Sequence, residues 1–158
     1  MKAVVVYDSY FGNTEKIAQA VGKALGTAKT VSVVKADQAN QDMLEGIDVL
    51  VAGSPTRAFS PTPAVKSFIK KIPAKGLSGV KVAAFDTRLP MDENVPGFLK
   101  FMVNLFGYAD KPLHDLMVKK GGQAPVQSQG FFVKESEGPL LDGELERAAA
   151  WAKEIING

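Results

Sequence analysis

Five short apolar runs alternate with helical patterns along the chain, and this alternation constrains the fold more than any other feature. The runs are rich in Val and Phe and mostly lack polar alternation, as is typical of strands buried on both faces; they span 3–7, 30–34, 48–53, 80–85 and 131–133. Between them, apolar residues recur at helical spacing. The pattern predicts an α/β protein with an open five-stranded parallel sheet, right-handed crossovers and helices on both faces.

The length of 158 residues suits one domain with its own core. No stretch rich in Gly, Ser and Pro divides the chain, so we expect a single domain over residues 1–158. Residues 94–122 predict a broken or paired helix. Gly107 interrupts the helical pattern, and Pro112 is placed as in the first turn of a second helix.

Composition argues against several classes of function. With 19 basic and 17 acidic residues, the chain lacks the basic excess typical of nucleic-acid binding. The absence of Cys excludes thiolate metal sites and the Cys nucleophile of phosphatases and arsenate reductases with a similar fold. The N-terminal apolar run is too short for a signal-peptide core, and no segment approaches the roughly 20 apolar residues of a membrane span. We expect a cytoplasmic protein without nucleic-acid or membrane partners.

The segment "YDSYFGNTEKIA" (7–18) joins the first predicted strand to the first predicted helix. Backbone N–H groups at a helix N-terminus favour an anion, and Ser9, Asn13 and Thr14 add side-chain donors around Gly12. No Lys or Arg lies between Ser9 and Thr14, so a phosphate here would be held by neutral donors. The glycine-rich fingerprints of dinucleotide-binding and P-loop proteins are absent from this turn. The alternative interpretation is an ordinary capped turn.

Ligands of open α/β sheets bind beyond the carboxyl ends of the strands, near the point where the strand order reverses. Three loops are therefore expected to share one rim of the molecule. They are 9–14 after the first strand, 54–62 after the third and 86–96 after the fourth.

Two of these loops carry a family resemblance. "SYFGNTEKIA" resembles the phosphate loop of flavodoxins, in which Thr is common where this chain has Phe11. "AGSPTRAFSPTPAVKSFI" (52–69) resembles the second flavin loop of the wider family, including the WrbA-like quinone reductases. The resemblance covers essentially the whole chain and implies a flavodoxin-like sheet of order 2-1-3-4-5 with noncovalent FMN.

By position, the resemblance implies that the FMN phosphate contacts Ser9, Tyr10, Phe11, Gly12, Asn13 and Thr14. It implies an isoalloxazine ring between loops 54–59 and 86–91, next to Ser54, Pro55, Thr56, Arg57, Ala58, Phe59, Asp86, Thr87 and Arg88. The implied activity is electron transfer with redox partner proteins, by a monomer or a weak homo-oligomer.

The sequence departs from the family pattern around the ring. Electron-carrier flavodoxins commonly place a Trp and a Tyr on the two faces of the flavin, and loops 54–59 and 86–91 contain neither. The sole Trp, Trp151, lies at helical spacing and predicts core packing. Many flavodoxins have a glycine in the second loop, but 54–59 has none. Arg57 is interpreted either as a positive charge that raises the flavin potential or as a solvated surface residue.

Two other functions stay open at this stage. "SPTR" and Phe11 are also consistent with an FMN-dependent NAD(P)H:quinone reductase, although the chain is shorter than those enzymes usually are. The missing aromatic pair is consistent with a flavodoxin-like scaffold that holds no FMN. His114 is the only His, and we expect it to be a structural or surface residue rather than part of a catalytic triad.

Overall fold

The computed structural model describes residues 1–158 and contains five strands and five α-helices. The strands are β1 (Ala3–Tyr7), β2 (Val31–Lys35), β3 (Val49–Pro55), β4 (Lys81–Arg88) and β5 (Gln129–Phe132). The α-helices are α1 (Asn13–Leu25), α2 (Pro63–Lys70), α3 (Gly97–Phe106), α4 (Asp110–Lys119) and α5 (Glu144–Asn157). Two short 3-10 helices, Ala36–Gln38 and Gln41–Leu44, connect β2 to β3.

The strands form one sheet in the order β2-β1-β3-β4-β5, and every neighbouring pair is parallel. This confirms the predicted order. All five apolar runs lie on strands, although β3 and β4 extend beyond their predicted ends and β5 begins two residues early. The order reverses between β1 and β3, so the loops after β1, β3 and β4 meet at one edge of the sheet.

The central strands β1, β3 and β4 are buried on both faces, which is why they read as continuous apolar runs, whereas the edge strand β2 is partly exposed. Alternate strand residues such as Val5 and Phe85 pack against α1 and α5, while their neighbours, such as Val4, pack against α2 and α4. Trp151 is 5% exposed and makes edge contacts with Phe85 and Phe131, as expected of a core residue.

The region 94–122 is two helices, as predicted, with Gly107 at a φ of 75° between them. The two helices differ in how they pack. In α4, Leu113 and Met117 are fully buried against the sheet, whereas no residue of α3 is buried. The apolar helix α3 therefore lies outside the core, over the edge of the sheet where the loops meet. No helix of the structure is long and apolar enough to cross a bilayer.

Candidate functional site

A cavity of about 340 Å³ opens at the carboxyl end of the sheet, between the loops that follow β1, β3 and β4. Its volume is within the range of small-molecule and cofactor sites. Twelve of the fifteen residues predicted to contact a cofactor line it: Ser9, Tyr10, Phe11, Asn13, Thr14, Pro55, Thr56, Arg57, Ala58, Phe59, Thr87 and Arg88. The three loops that the sequence places on one rim do surround a single cavity.

The loop after β1 is organised by Ser9. Its hydroxyl oxygen accepts hydrogen bonds from the backbone N–H of Gly12 at 3.1 Å and of Glu15 at 3.3 Å. Gly12 has a φ of 91°, a left-handed conformation that glycine adopts at little cost, and it turns the chain into α1. Gly12 itself does not line the cavity.

Several backbone N–H groups of this turn have no acceptor and therefore suit an anion. The backbone N–H groups of Tyr10, Phe11, Asn13 and Thr14 have no acceptor within the protein. The last two belong to the first turn of α1, where the helix dipole also favours negative charge. All four residues line the cavity, so this donor set fits a phosphate group bound through neutral N–H groups.

The side chains of Asn13 and Thr14 connect this loop to other parts of the chain. The Asn13 amide donates to the carbonyl oxygen of Glu137 at 3.1 Å, and a Cβ on Gly138 would lie 2.6 Å from Asn13 Oδ1. The Thr14 and Thr87 hydroxyl oxygens lie 2.8 Å apart and form a buried hydrogen bond. The Asn13 amide thus anchors the loop before α5, whereas its backbone N–H stays free for a ligand.

The loop after β3 contains a tight turn with strained backbone. Arg57 and Ser60 exchange backbone hydrogen bonds of 2.9 and 3.0 Å across Ala58 and Phe59. These two central residues have φ values of 49° and 66°, in the region that glycine or Asn normally occupies in a two-residue turn. Such conformations cost about 1 kcal/mol or more each, and they cluster at functional sites.

Arg57 lies at the junction of the first two loops. Its guanidinium carbon is 5.2 Å from the centre of the Tyr10 ring and 5.9 Å from that of Phe11. It forms no ion pair, because the salt bridges of the structure involve only Arg88 and Arg147. Arg57 therefore contributes a positive charge beside loop 9–14 that no carboxylate neutralises.

The second arginine of the cavity is neutralised. Arg88 donates two hydrogen bonds of 2.7 Å to Asp86 and lies 3.1 Å from Asp110, while its guanidinium stacks on the Tyr108 ring at 3.6 Å. The hydroxyl of Ser128 donates to Asp110 at 2.8 Å. Burial raises the pKa of Asp86 to about 6, although Arg88 opposes this shift.

Ser54 and Asp86 lie beneath the cavity and do not line it. They pair in the sheet register and point toward the face covered by α2 and α4. Ser54 donates to the Pro55 carbonyl oxygen at 2.8 Å and accepts from the Thr62 N–H at 2.9 Å. Because strand side chains alternate between faces, Thr87 points the other way, toward α1. Ser54 and Asp86 therefore support the loops that carry the cavity wall.

Sequence reasoning missed part of the wall. Leu89 and Met91 lie in the predicted loop 86–91, although neither was named. The lining residues outside every predicted loop come from α3, the segment after it and the chain after β5; they are Leu99, Val103, Tyr108, Val133 and Ser136. The composition of "GFLKFMVNLF" was a usable signal. This segment is apolar on most of its circumference, which predicts a helix whose surface is largely shielded from water. The only His, His114, does not line the cavity.

The comparisons with known proteins agree with this geometry. Residues 4–119 match the model of the flavodoxin domain family. A flavodoxin from the domain Archaea superposes with a TM-score of 0.76 at 21% identity, covering 99% of this chain and 97% of the other. Flavodoxin 1 from Bacillus cereus gives 0.72 at 18% identity, covering 99% and 98%. A WrbA-like flavodoxin from Agrobacterium tumefaciens gives 0.68 at 20% identity, covering 99% and 95%. No curated protein matches the sequence.

The chain belongs to the flavodoxin domain family, because the family model matches well over half of it. The solved structures share its fold over the full length. Family membership and fold together support an FMN-binding, flavodoxin-like protein of electron transfer.

Proposed function

We propose that the cavity binds FMN, with the phosphate on loop 9–14 and the isoalloxazine ring between loops 54–59 and 86–91. The observation that carries this proposal is the set of four N–H groups without acceptors in loop 9–14, two of them in the first turn of α1, on the wall of a cavity of about 340 Å³. FMN bound here supplies reversible electron-transfer chemistry, and the chain supplies its orientation and electrostatics.

The walls of the cavity suit a flat, largely apolar ring. Leu89, Met91, Leu99 and Val103 line it and would exclude water from the flavin. No Trp lines the cavity, and its Tyr108 ring lies against the Arg88 guanidinium at 3.6 Å, while the Phe59 ring contacts the Phe106 ring of α3 at 5.8 Å. We propose that this apolar contact with α3 takes the place of aromatic stacking.

Charge distribution in the cavity favours reduced, negatively charged flavin more than in an acidic carrier. Arg57 contributes an uncompensated positive charge, whereas Arg88 is balanced by Asp86 and Asp110. A positive charge near the flavin stabilises its reduced form and raises the potential. We therefore propose an FMN potential less negative than that of acidic flavodoxins, with Arg57 as its main determinant.

We propose that residues 1–158 form one flavodoxin-like domain that acts in the cytoplasm. Its partners are redox proteins, since flavodoxins transfer electrons to such partners. Lys70, Lys71 and Lys75 are exposed at and just after the C-terminal end of α2, and they suit an acidic partner.

A second candidate is an FMN-dependent NAD(P)H:quinone reductase. It is favoured by the apolar wall from α3, which offers a surface to a flat apolar substrate. One experiment on FMN-loaded protein distinguishes the electron carrier from the reductase. A carrier that has been reduced chemically passes electrons to an acceptor such as cytochrome c, and it does not oxidise NADH or NADPH in the presence of a quinone. Steady NAD(P)H consumption that depends on the quinone would establish the reductase instead.

A further inference from the structure

The chain after β5 folds back on itself as a short hairpin over residues 133–140. An isolated antiparallel bridge joins the two ends of this segment. The backbone N–H of Lys134 donates to the carbonyl oxygen of Pro139 at 2.8 Å. At the tip, the N–H of Gly138 donates to the carbonyl oxygen of Glu135, also at 2.8 Å. Hairpin 133–140 therefore has a defined backbone, although it lies between β5 and α5 rather than in the sheet.

The tip of hairpin 133–140 contacts the first residue of α1. The Asn13 amide donates to the carbonyl oxygen of Glu137 at 3.1 Å. Gly138 has a φ of 106°, and a Cβ at this position would lie 2.6 Å from Asn13 Oδ1, so the close approach requires glycine. The backbone N–H of Asn13 is one of the four donors without an acceptor. The tip consequently lies next to the proposed phosphate site.

Two residues of the hairpin, Val133 and Ser136, line the cavity. Apart from the bond between Glu137 and Asn13, no side-chain hydrogen bond involves the hairpin, and the Ser136 N–H has no acceptor either. Ser136 directly precedes Glu137, and consecutive Cα atoms are about 3.8 Å apart. Ser136 therefore belongs to the end of the cavity that loop 9–14 forms, and its hydroxyl is a neutral donor like those of that loop.

The charged residues of the tip do not occupy the cavity wall. Glu135 and Glu137 are exposed, and neither lines the cavity; the same holds for Lys134. Solvent screens exposed charges of this kind. Ser136 is thus the one polar side chain that hairpin 133–140 contributes to the wall. A phosphate monoester has three strongly accepting oxygens, so it can accept from this hydroxyl as well as from the N–H groups of loop 9–14.

We propose that hairpin 133–140 forms part of the phosphate site and that the Ser136 hydroxyl donates a hydrogen bond to the FMN phosphate. The contact between Asn13 and Glu137 then places Ser136 beside the backbone donors, although Glu137 follows Asn13 by 124 residues in the sequence. The proposal rests on the proposed function, since it requires FMN in the cavity. It adds a second segment of the chain to the residues that distinguish FMN from riboflavin.

The test is a fluorescence titration of flavin-stripped variants with FMN and with riboflavin. Ser136→Ala should raise the FMN dissociation constant about tenfold, because it removes a hydrogen bond to a charged group. The riboflavin dissociation constant should stay unchanged, since riboflavin has no phosphate. The matched control is Ser32→Ala, because Ser32 is exposed on β2 and lies outside the cavity. This control should leave both dissociation constants unchanged.

Gly138→Ala tests how the hairpin is placed. Its Cβ would collide with the Asn13 side chain and displace the tip, so the affinity for FMN should fall at least as far as in Ser136→Ala. The affinity for riboflavin should fall much less. Gly143→Ala is the matched control: Gly143 has a φ of 85°, but a Cβ there would meet no atom within 4 Å. This variant should keep the FMN affinity of the wild type.

A loss of FMN affinity in Ser136→Ala and Gly138→Ala, with riboflavin binding retained, supports the proposal. Wild-type FMN affinity in either variant overturns it, but leaves the assignment of loop 9–14 intact. An equal loss for both flavins also overturns it. If circular dichroism shows that Gly138→Ala is unfolded, Ser136→Ala decides alone. Wild-type protein that binds FMN no better than riboflavin would overturn both this proposal and the phosphate assignment of loop 9–14.

Discussion

The hydroxyl oxygens of Thr14 and Thr87 lie 2.8 Å apart and join the first turn of α1 to the end of β4. Both residues line the cavity while remaining almost completely buried, at 1% and 6% exposed. The hydrogen bond thus fixes loop 9–14 relative to β4, the strand that precedes the third cavity loop. It links the two ends of the proposed FMN site through a single contact.

Thr87→Val should destabilise the protein by about 1–2 kcal/mol, because it leaves the buried Thr14 hydroxyl without its partner. The double variant Thr14→Val with Thr87→Val should cost less than the sum of the two single changes, since no orphaned hydroxyl remains. Urea unfolding of the four proteins measures both quantities. Thr87→Ser keeps the hydroxyl and is the control. Strict additivity in the double variant would show that the two hydroxyls are not coupled.

The backbone strain at Ala58 predicts a stabilising substitution. Ala58 has a φ of 49°, which glycine adopts at little cost, so Ala58→Gly should raise the free energy of unfolding by roughly 0.5–1 kcal/mol. The matched control is Ala74→Gly, because Ala74 is exposed and has no positive φ. That change should instead destabilise by a similar amount. Thermal unfolding of both variants measures these changes. A loss of stability in Ala58→Gly similar to that in the control would contradict the backbone strain at Ala58.

Burial of Asp86 predicts a pH dependence of stability. Its pKa is raised to about 6 in the folded protein, above the value of about 3.9 for an unfolded Asp, so the folded state holds more protons between these values. The contribution of Asp86 to stability is therefore complete below about pH 4 and is lost as the pH rises through 6. Asp86→Asn removes this titration. The stability of the wild type relative to Asp86→Asn should fall between pH 4 and 7. A constant difference in stability between the two proteins over this range would refute the raised pKa of Asp86.

The uncompensated charge of Arg57 predicts a redox effect. Arg57→Gln should lower the FMN midpoint potential by on the order of tens of millivolts, since it removes a positive charge beside the flavin site. Lys75→Gln removes the same charge from an exposed position outside the cavity, and it should leave the potential unchanged. Spectroelectrochemical titration of the three proteins measures the difference. Equal potentials in all three proteins would show that Arg57 is a solvated surface residue that does not affect the flavin potential.

The sheet and the turn of loop 9–14 were predictable because their signals are local. Strands buried on both faces leave continuous apolar runs, and a helix start with Ser9, Gly12 and Thr14 is readable within six residues. The family resemblance placed Ser54 and Asp86 at the site by position, but strand alternation points them toward α2 and α4.

The rest of the wall depends on contacts between distant segments. Val133 and Ser136 reach the cavity because the chain after β5 returns to Asn13, where the Asn13 amide donates to Glu137. Likewise, the spacing of Leu99 and Val103 predicts a helix but does not reveal what that helix covers. Their role in the wall follows from the position of α3 over the sheet edge, which no local pattern encodes.

The central claim is that loop 9–14 binds the phosphate of FMN. The most direct measurement is a fluorescence titration of flavin-stripped protein with FMN, and with riboflavin as the analogue that lacks only the phosphate. We predict tight binding of FMN and binding of riboflavin weaker by at least about tenfold, because riboflavin lacks the phosphate that we assign to the four N–H groups without protein acceptors. Equal affinity for the two flavins would contradict the assignment of the loop. Protein that stays colourless with excess FMN would contradict the cofactor itself and leave a flavodoxin-like scaffold.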